Sequence, residues 1–492
     1  MKKLSFLISF LLIVFVFSTQ TSCRKDKITD NPSAKLEFSI DTIIFDTVFT
    51  TIGSTTRRFK IYNRNANAVE ISSITLKGGN NSPFRINVDG LSGNTHKNIL
   101  IPGKDSLYVF VEVTIDPNNT LSPFIVEEDI QFITNGNNQT VHLVAWGQNA
   151  HYYTPKNFVP GLPPYSCLDG DCDTTQPPVN MTWINDKPYV IYGYLVVDEN
   201  DILTIDKGCR IHFHNNSGLW VYENGTLKVN GTLNEPVTFQ GDRLENAYSE
   251  IAGQWDRIWL FEGSVDNEFN YAIIKNAFIG IQAETNPFNP SAPTATNNLL
   301  LNETVIRNCV GAGLLAKNYK IVARNSIISN CGQYTFLVTG GGEYEFNHCT
   351  LANFWSESTR NNVSVYLQNY YTDINGATQV RDIVKCDFNN TIIDGANSDE
   401  WDYDVLSPGS INFKFTNCVL KTTKSTASGS YINPKQPSSS MYVDYTLNNY
   451  HLVNGSSAIN NGDVSIGLLF PMDLDGNSRT ADIAPDIGAY EK

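Results

Sequence analysis

The chain has 492 residues, of which 41% are hydrophobic and 17% charged, and this composition excludes a wholly disordered protein. Its length suits two or three folded domains rather than one. The formal net charge is -15 at pH 7, so a phosphate backbone would be repelled and nucleic acid is excluded as a class of partner.

Residues 1–22 have the pattern of a secretory signal peptide. Lys2 and Lys3 precede an apolar run from Leu4 to Phe17, and small and polar residues then lead to Cys23. This run is too short to span a membrane comfortably, as is typical of a cleaved signal. The cysteine directly after the small residues resembles the lipobox of bacterial lipoproteins, which implies that Cys23 is the lipid attachment site. An ordinary cleaved signal with an incidental cysteine is the alternative.

Residues 23–35 are interpreted as a tether. The charged stretch from Arg24 to Lys27 resembles the export tether of lipoproteins in the Bacteroidota. The resemblance implies an outer-membrane lipoprotein, with display at the cell surface favoured and display on the periplasmic face still open. No later segment has 18 consecutive apolar residues, so we expect the lipid to be the only contact with the membrane.

Residues 36–150 contain short runs of residues that are typical of β-strands. Gly, Asn and Pro separate runs such as Ile71–Leu76 and Leu107–Val113, in which apolar and polar residues alternate. This spacing predicts an antiparallel β-sandwich. The order of features resembles the Ig-like sandwich family of abnormal-spindle and hydin-type proteins, and the matching stretches are Ile61-Tyr62-Asn63, Ile71 to Ile74, Ile101-Pro102-Gly103, Asp116-Pro117 and Val141 to Gly147.

Residues 151–182 are rich in proline and are interpreted as a linker between domains. Cys167 and Cys172 lie within this segment, five positions apart. Outside the cytoplasm, such a pair most simply forms a small disulfide loop. A Ca²⁺ or redox site is the alternative, and it is disfavoured because this spacing is not a standard one for metal ligands.

Residues 183–435 are repetitive. Short strands such as Ile211–Phe213 and Leu219–Val221, whose first and third residues are expected to point inward, are separated by Gly or Asn turns. Rungs with equivalent small residues predict a right-handed parallel β-helix, and these residues are Ala272, Thr304, Ser326, Cys349, Thr391 and Cys418. The stretch 203–239 resembles the first rungs of the pectate-lyase-like superfamily, with its "L-T-I-x-x-G" and "P-V-T-F" motifs. The predicted fold is therefore all-β, with an Ig-like β-sandwich followed by a right-handed parallel β-helix.

Residues 436–492 resemble the ending of many secreted β-helix proteins, and we expect them to cap the last rung. Within them, Asp473, Asp475 and Asn477 resemble a Ca²⁺ loop. Because Gly476 lies at the wrong offset for an EF-hand, a structural turn is favoured and Ca²⁺ is the alternative. No other cofactor is predicted.

The residues that catalysis on this fold requires have no clear counterpart, so no catalytic residue is predicted. Lyases need a base beside a bound Ca²⁺, and hydrolases need paired aspartates. Arg307, Arg324 and Lys275 resemble ordinary solvated charges. His212 and His214 share one strand face, but two ligands do not make a metal site.

A ladder of outward residues is the candidate for binding. Leu315, Leu337 and Tyr366 occupy outward positions on successive rungs, and Trp220 and Tyr222 point outward on an earlier strand. Loop insertions that cover this ladder are one interpretation, and a surface on which sugars stack is the other. Cys309 and Cys331 occupy equivalent places 22 residues apart, where buried thiols are favoured over a disulfide.

Two classes of function follow. The first is a lipid-anchored, non-catalytic envelope protein that binds glycans or partner proteins along its β-helix. The second is a carbohydrate-active enzyme, a polysaccharide lyase or glycoside hydrolase, and it depends on analogy of fold alone.

Overall fold

The computed structural model describes residues 27–118, 123–170, 172, 175–261, 263–285, 298–481 and 483–492. The predicted signal peptide and Cys23 lie outside the described residues, as does the insertion 286–297. The chain divides into two compact units, Met1–Gln148 and Asn149–Lys492. Over the ranges just given, no helix is long and apolar enough to cross a membrane.

Unit 1 consists of two five-stranded sheets, with strands numbered in chain order. All strand pairs are antiparallel except β2 with β10. One sheet has the order β1 (Glu37–Phe38), β3 (Arg57–Tyr62), β8 (Ser106–Val113), β5 (Phe84–Val88) and β6 (Leu91–Gly93). The other has the order β2 (Thr42–Phe49), β10 (Asn137–Gln148), β9 (Phe124–Thr134), β4 (Val69–Leu76) and β7 (Thr95–Ile101).

The two sheets of unit 1 share one apolar core. Alternate residues such as Val109 and Val111 of β8 are fully buried together with Phe132 of β9. The part of the expected tether that is described also belongs to this unit, because Ile28 bridges to Ala68 and Ala34 is buried in the core. The predicted tether is therefore shorter than residues 23–35.

Unit 2 contains three long parallel sheets. The first has the order β11 (His151–Tyr153), β14 (Tyr189–Ile191), β17 (Arg210–Phe213), β20 (Val237–Gly241), β23 (Ala272–Lys275), β26 (Val305–Cys309), β29 (Ile327–Cys331), β32 (Thr350–Asn353), β37 (Ile392–Gly395) and β40 (Val419–Leu420). The second has the order β12 (Tyr165–Cys167), β15 (Tyr194–Val197), β18 (Gly218–Val221), β21 (Ile258–Leu260), β24 (Ile281–Glu284), β27 (Ala312–Lys317), β30 (Tyr334–Thr339), β33 (Val365–Gln368) and β38 (Trp401–Asp404).

The third sheet has the order β13 (Asn180–Trp183), β16 (Ile202–Asp206), β19 (Thr226–Asn230), β22 (Asn267–Asn270), β25 (Asn298–Asn302), β28 (Tyr319–Arg324), β31 (Gly342–Asn347), β36 (Ile383–Asn389), β39 (Ile411–Thr416) and β41 (Tyr431–Ile432). Two hairpins, β34 (Tyr370–Thr372) with β35 (Thr378–Val380) and β42 (Tyr442–Asp444) with β43 (Asn449–Leu452), and one helix, α1 (Val464–Leu469), complete the elements named here.

The chain visits the three sheets in turn, and each strand pairs in parallel with the strand one rung later. This topology is that of a parallel β-helix, as predicted. Inward residues from all three sheets form one continuous core, in which Leu314, Phe336 and Phe346 are fully buried. Each rung buries its apolar edge only by stacking on its neighbours.

The predicted small residues form a buried stack at one corner of the rungs. Each follows a residue with a left-handed backbone, such as Asn325 (φ 44°) or Asn390 (φ 46°), which turns the chain from the third sheet into the first. The stacked side chains also bond between rungs, since the Thr304 N–H donates to Ser326 Oγ at 3.1 Å. The corner therefore requires small side chains, most of which carry a hydroxyl or thiol.

The predicted linker 151–182 is wrong in part, because these residues build the first rung. The strands β11, β12 and β13 pair in parallel with β14, β15 and β16. The prolines lie between these strands rather than within them, for example Pro155 and Pro160. Proline content alone therefore concealed strands of three or four residues.

The C-terminal segment 436–492 packs along the outer face of the first sheet, which differs from the expected end cap. Its buried residues Leu452 and Ile487 belong to an apolar cluster with the outward residues Ile327 and Ile392. Arg479 Nη2 also donates to Asn325 Oδ1 at 3.0 Å. The first sheet is apolar on both faces here, so its outer face requires a cover.

Replacement of Thr391 by valine tests the corner stack. Thr391 is fully buried, and its hydroxyl accepts from the Cys349 N–H at 3.3 Å and lies 2.9 Å from the Asn389 carbonyl oxygen. Thr391→Val keeps the shape and leaves a buried N–H without its acceptor, so we expect a loss of about 1–3 kcal/mol in the free energy of unfolding, measured with urea. The exposed control Thr378→Val should change it by less than about 0.5 kcal/mol. Equal effects of the two variants would contradict the corner argument.

Candidate functional site

The outer face of the second sheet carries a continuous row of side chains, here called the outer row. Strand register places one outward residue of each of six successive strands directly beside the next: Trp220, Trp259, Gln282, Leu315, Leu337 and Tyr366. Neighbouring members are therefore one strand spacing apart, about 4.8 Å. The row brings four of the five predicted contact residues into line, and Tyr222 follows Trp220 two positions later on the same face.

An aromatic cluster forms one end of the outer row. The Trp220 and Trp259 rings stack with centroids 5.4 Å apart and an interplanar angle of 20°. Tyr222 and Phe261 stack beside them at 6.4 Å, and Phe261 lies 4.9 Å from Trp259. All four rings are half-buried. They form an apolar surface of adjacent ring faces at the exterior of the helix.

Buried polar groups hold this cluster in place. Glu284 accepts from the Trp259 indole N–H at 2.8 Å and from the Gln282 amide at 2.7 Å, and it pairs with Lys317 at 3.1 Å. Arg257 donates to the Gln282 side chain and pairs with Asp256 at 2.9 Å. These bonds leave little freedom for the Trp259 ring, so the surface is preorganised.

Asp256 is further tied to Tyr194, whose hydroxyl donates to the carboxylate. Burial raises the pKa of Tyr194 well above its ordinary value, and the negative charge of Asp256 raises it further. The hydroxyl therefore stays protonated and remains a donor. This end of the row has a fixed set of hydrogen-bonding groups beside its rings.

The other end of the outer row is less polar. Leu315, Leu337 and Tyr366 are half-buried, and the Tyr366 ring lies 5.9 Å from Tyr334. Burial raises the pKa of Tyr366 to about 12. The insertion after Gln368 forms the hairpin β34–β35, which reaches the row's flank where Lys317 Nζ lies 4.9 Å from the Tyr371 ring centroid. The hairpin thus borders the row, and the insertion after Glu284 lies largely outside the described residues.

Sequence reasoning missed the polar support and half of the aromatic cluster. Trp259 is not among the contact residues predicted from the sequence, and neither are Phe261, Glu284 and Arg257. One indication was available, because Trp259 and Phe261 alternate with the buried Ile258 and Leu260. The bonds of Glu284 were not predictable, since they depend on contacts across three rungs.

The predicted Ca²⁺ candidates form a turn network. Asp473 Oδ1 accepts from the backbone N–H groups of Asp475 at 3.0 Å and Asn477 at 2.6 Å, and its other oxygen accepts from the Glu491 N–H at 2.7 Å. Asp475 instead pairs with His451 at 2.7 Å. The two carboxylates thus bond to different partners and do not point at one site, as expected of a structural turn. In the portions of the chain that are described, no cluster of three or more His, Cys, Asp or Glu suits a metal ion.

The cysteines divide into two kinds. Cys167 and Cys172 are joined in a disulfide that closes a short loop beside the first rung. Cys309 and Cys331 are paired in register on β26 and β29, and both are buried free thiols. The neighbouring Cys331 and burial both raise the pKa of Cys309 well above its ordinary value, so it remains a thiol.

The remaining candidate charges are engaged elsewhere. Lys275 and Arg307 both pair with Glu250 at 3.0 Å, and the Arg324 guanidinium lies 5.3 Å from the Phe470 ring centroid. His212 is buried beside the Gly241 carbonyl oxygen at 3.0 Å, whereas His214 pairs with Asp242 at 2.7 Å. The two histidines therefore have different partners and do not converge on one point.

Comparisons with known proteins are weak. No protein family matches the sequence, and no curated protein matches it. A protein of unknown function from Porphyromonas gingivalis W83 is similar over 23% of this chain and 46% of its own, with 14% identity and a TM-score of 0.17. A family 123 glycoside hydrolase from Clostridium perfringens is similar over 23% of this chain and 25% of its own, with 9% identity and a TM-score of 0.17. The present chain thus covers less than half of either structure, and neither carries a functional argument.

His212 makes the fold sensitive to acid. Burial lowers its pKa from 6.5 to about 4, so the unfolded chain binds a proton that the folded chain excludes between these values. Above pH 6.5, His212 therefore does not reduce the free energy of unfolding. As the pH drops to 4, its protonation in the unfolded chain lowers this free energy by about 3 kcal/mol. We expect His212→Gln to reduce the slope of unfolding free energy against pH across this window.

Glu491 has the opposite effect on the pH dependence of stability. Burial raises its pKa to about 7, so its contribution to the free energy of unfolding increases as the pH falls. The measurement is therefore the difference between wild type and variant, from urea unfolding at pH 7, 5.5 and 4. The exposed His142 provides a matched control, His142→Gln. A pH dependence of His212→Gln that parallels the wild type would show that His212 does not cause the sensitivity.

Proposed function

We propose that this protein is a non-catalytic, lipid-anchored binding protein of the bacterial cell envelope that binds a glycan along the outer row. In this proposal, unit 2 is a right-handed, pectate-lyase-like β-helix, and unit 1 is an Ig-like domain that serves as a spacer. The observation that carries the proposal is the continuous alignment from Trp220 to Tyr366 on one outer face.

The spacing of the outer row supports a polymeric ligand. Six aligned positions span five strand spacings, or about 24 Å. One strand spacing is similar to the length of one pyranose unit in an extended glycan. Successive sugars of such a chain would therefore meet equivalent places on successive rungs, which a compact ligand would not use.

The chemistry of the aromatic end also suits sugars. A pyranose presents an apolar face of C–H groups and an equator of hydroxyls, and it thus requires a ring surface with nearby polar groups. Trp220 and Trp259 supply the rings. Arg257 and Asp256, whose side chains are 21% and 25% exposed, supply polar groups beside these rings.

Catalysis is the less favoured function because the basic side chains near strand ends are occupied. A lyase requires a base that is free to remove a proton. Lys275 and Arg307 are instead held by the same carboxylate, Glu250. A binding role requires no such group.

Loss of a stacked ring tests the proposal. We expect Trp259→Ala to weaken binding of the mature chain to its glycan at least about tenfold, or about 1.4 kcal/mol, because one of the two stacked indole rings is removed. Affinity electrophoresis against soluble neutral and uronate polysaccharides would select the glycan, and calorimetry would measure the dissociation constant. Trp259→Phe should retain part of the affinity.

Phe158 offers a matched control, since it is an exposed aromatic residue of unit 2 outside the outer row. Phe158→Ala should bind as the wild type does. Thermal unfolding of each variant distinguishes a lost contact from a lost fold. If no polysaccharide binds the wild type, or if Trp259→Ala binds equally well, glycan binding on the outer row is wrong.

The proposed membrane attachment has a separate test. We expect cells that express the full chain to incorporate labelled palmitate into it, and Cys23→Ser to abolish the label, because a serine cannot form the thioether. Cys209, which is buried, provides the control Cys209→Ser. Protease treatment of intact cells would then separate display at the cell surface from display on the periplasmic face. Labelling of Cys23→Ser would contradict the assignment of the lipid site.

A further inference from the structure

A cleft of about 460 Å³ lies on the side of unit 2 where the C-terminal segment covers the first sheet. Its volume is within the range of small-molecule sites. It is lined by residues of six separate stretches of the chain, among them Glu250, Asn330, Trp355, Glu357, Tyr445 and Asn448. None of its lining residues belongs to the outer row, so we name it separately as the amide cleft.

Two asparagines of neighbouring rungs line the amide cleft with fixed amides. Asn308 and Asn330 have left-handed backbones, with φ of 55° and 51°, at the ends of β26 and β29. Asn308 Nδ2 donates to Glu250 Oε2 at 2.7 Å, and Asn330 Nδ2 donates to Asn448 Oδ1 at 2.6 Å. Asn308 Nδ2 donates also to the Glu250 carbonyl oxygen at 3.3 Å, and Asn330 Oδ1 accepts from the Tyr450 hydroxyl at 3.1 Å. These bonds orient the two amides and use most of their polar capacity, so the amides fix the shape of the cleft wall.

Aromatic rings form a second part of the lining. The Phe354 and Tyr445 rings stack with centroids 4.1 Å apart and an interplanar angle of 20°, and Tyr445 is 42% exposed. Trp355 is half-buried, and its indole N–H donates to Ser358 Oγ at 2.9 Å. A ligand in the cleft would thus meet both ring surfaces and oriented amides.

The charges of the amide cleft disfavour an anionic ligand. Glu250 forms ion pairs with both nearby cations, Lys275 and Arg307, at 3.0 Å each. Glu357 is exposed and forms no ion pair within the described ranges. An anion would therefore meet carboxylates without a free cation, whereas hydroxyl groups donate well to carboxylates.

We propose that the amide cleft binds one or two units of a neutral saccharide, with a pyranose face on the aromatic rings and its hydroxyls on the carboxylates of Glu250 and Glu357. Such a site holds a short saccharide or the end of a chain, whereas the outer row would hold the length of a chain. The proposal does not depend on the outer row, because the two surfaces share no residue.

Ligand-observed NMR of the mature protein tests this site with maltose, cellobiose and N,N'-diacetylchitobiose as neutral probes and digalacturonate as the charged comparison. We expect at least one neutral disaccharide to bind and digalacturonate not to bind. Tyr445→Ala and Trp355→Ala should each weaken that binding at least about tenfold. Tyr445→Phe keeps the ring and should stay within about threefold of the wild type.

The outer-row variant Trp259→Ala is the matched control and should bind the disaccharide as the wild type does. Failure of the two proposals is therefore distinguishable, since each variant removes rings from one surface only. Tyr445 is 42% exposed and lies outside the cores of the two units, so Tyr445→Ala is expected to fold, and thermal unfolding would check this. Absence of binding by every neutral probe, or binding that Tyr445→Ala and Trp355→Ala leave unchanged, would overturn the proposal.

Discussion

Unit 2 depends on the stacking of one rung on the next in a single register. Backbone hydrogen bonds alone would allow a strand to slip by a residue, and such a slip would turn every inward side chain outward. The left-handed corner residues and the small buried side chains after them oppose such a slip, because Ser326 and Thr391 are buried in a closely packed stack and a slip would replace them with larger neighbours. Both candidate surfaces follow from this register. The outer row is continuous because its members are register partners on successive strands, and Asn308 and Asn330 line one cleft because they occupy equivalent positions on neighbouring rungs.

Much of unit 2 was predictable because its pattern is local and repeated. The small residues from Ala272 to Cys418 lie where the repeat places them, and the alternation around Leu315 and Leu337 identifies the outward positions of the second sheet. A period of this kind needs no knowledge of distant residues. The polar support of the outer row was not predictable, because Glu284 joins Trp259 and Lys317 from different rungs.

Three further features escaped the sequence pattern for physical reasons. The first rung was mistaken for a linker, because its strands are as short as three residues and lie between prolines. Ile28 and Ala34 contribute to unit 1 through single contacts that have no periodicity. The C-terminal segment has no repeat either, so its place along the first sheet depends on complementary apolar surfaces that only the folded chain brings together.

The lateral position of the C-terminal segment has a mechanical consequence. In a plain stack of rungs, each contacts only its neighbours, so the last rung could peel away alone under load. Here the segment bonds to the corners of three rungs, through Arg479 to Asn325, Asp463 to Asn390 and Asn461 to Asn417. A pulling force on the C-terminus is therefore shared by several rungs, and these must yield together rather than unzip in sequence. The C-terminal segment therefore gives this end of unit 2 more resistance to a pulling force than the contacts between neighbouring rungs would give alone.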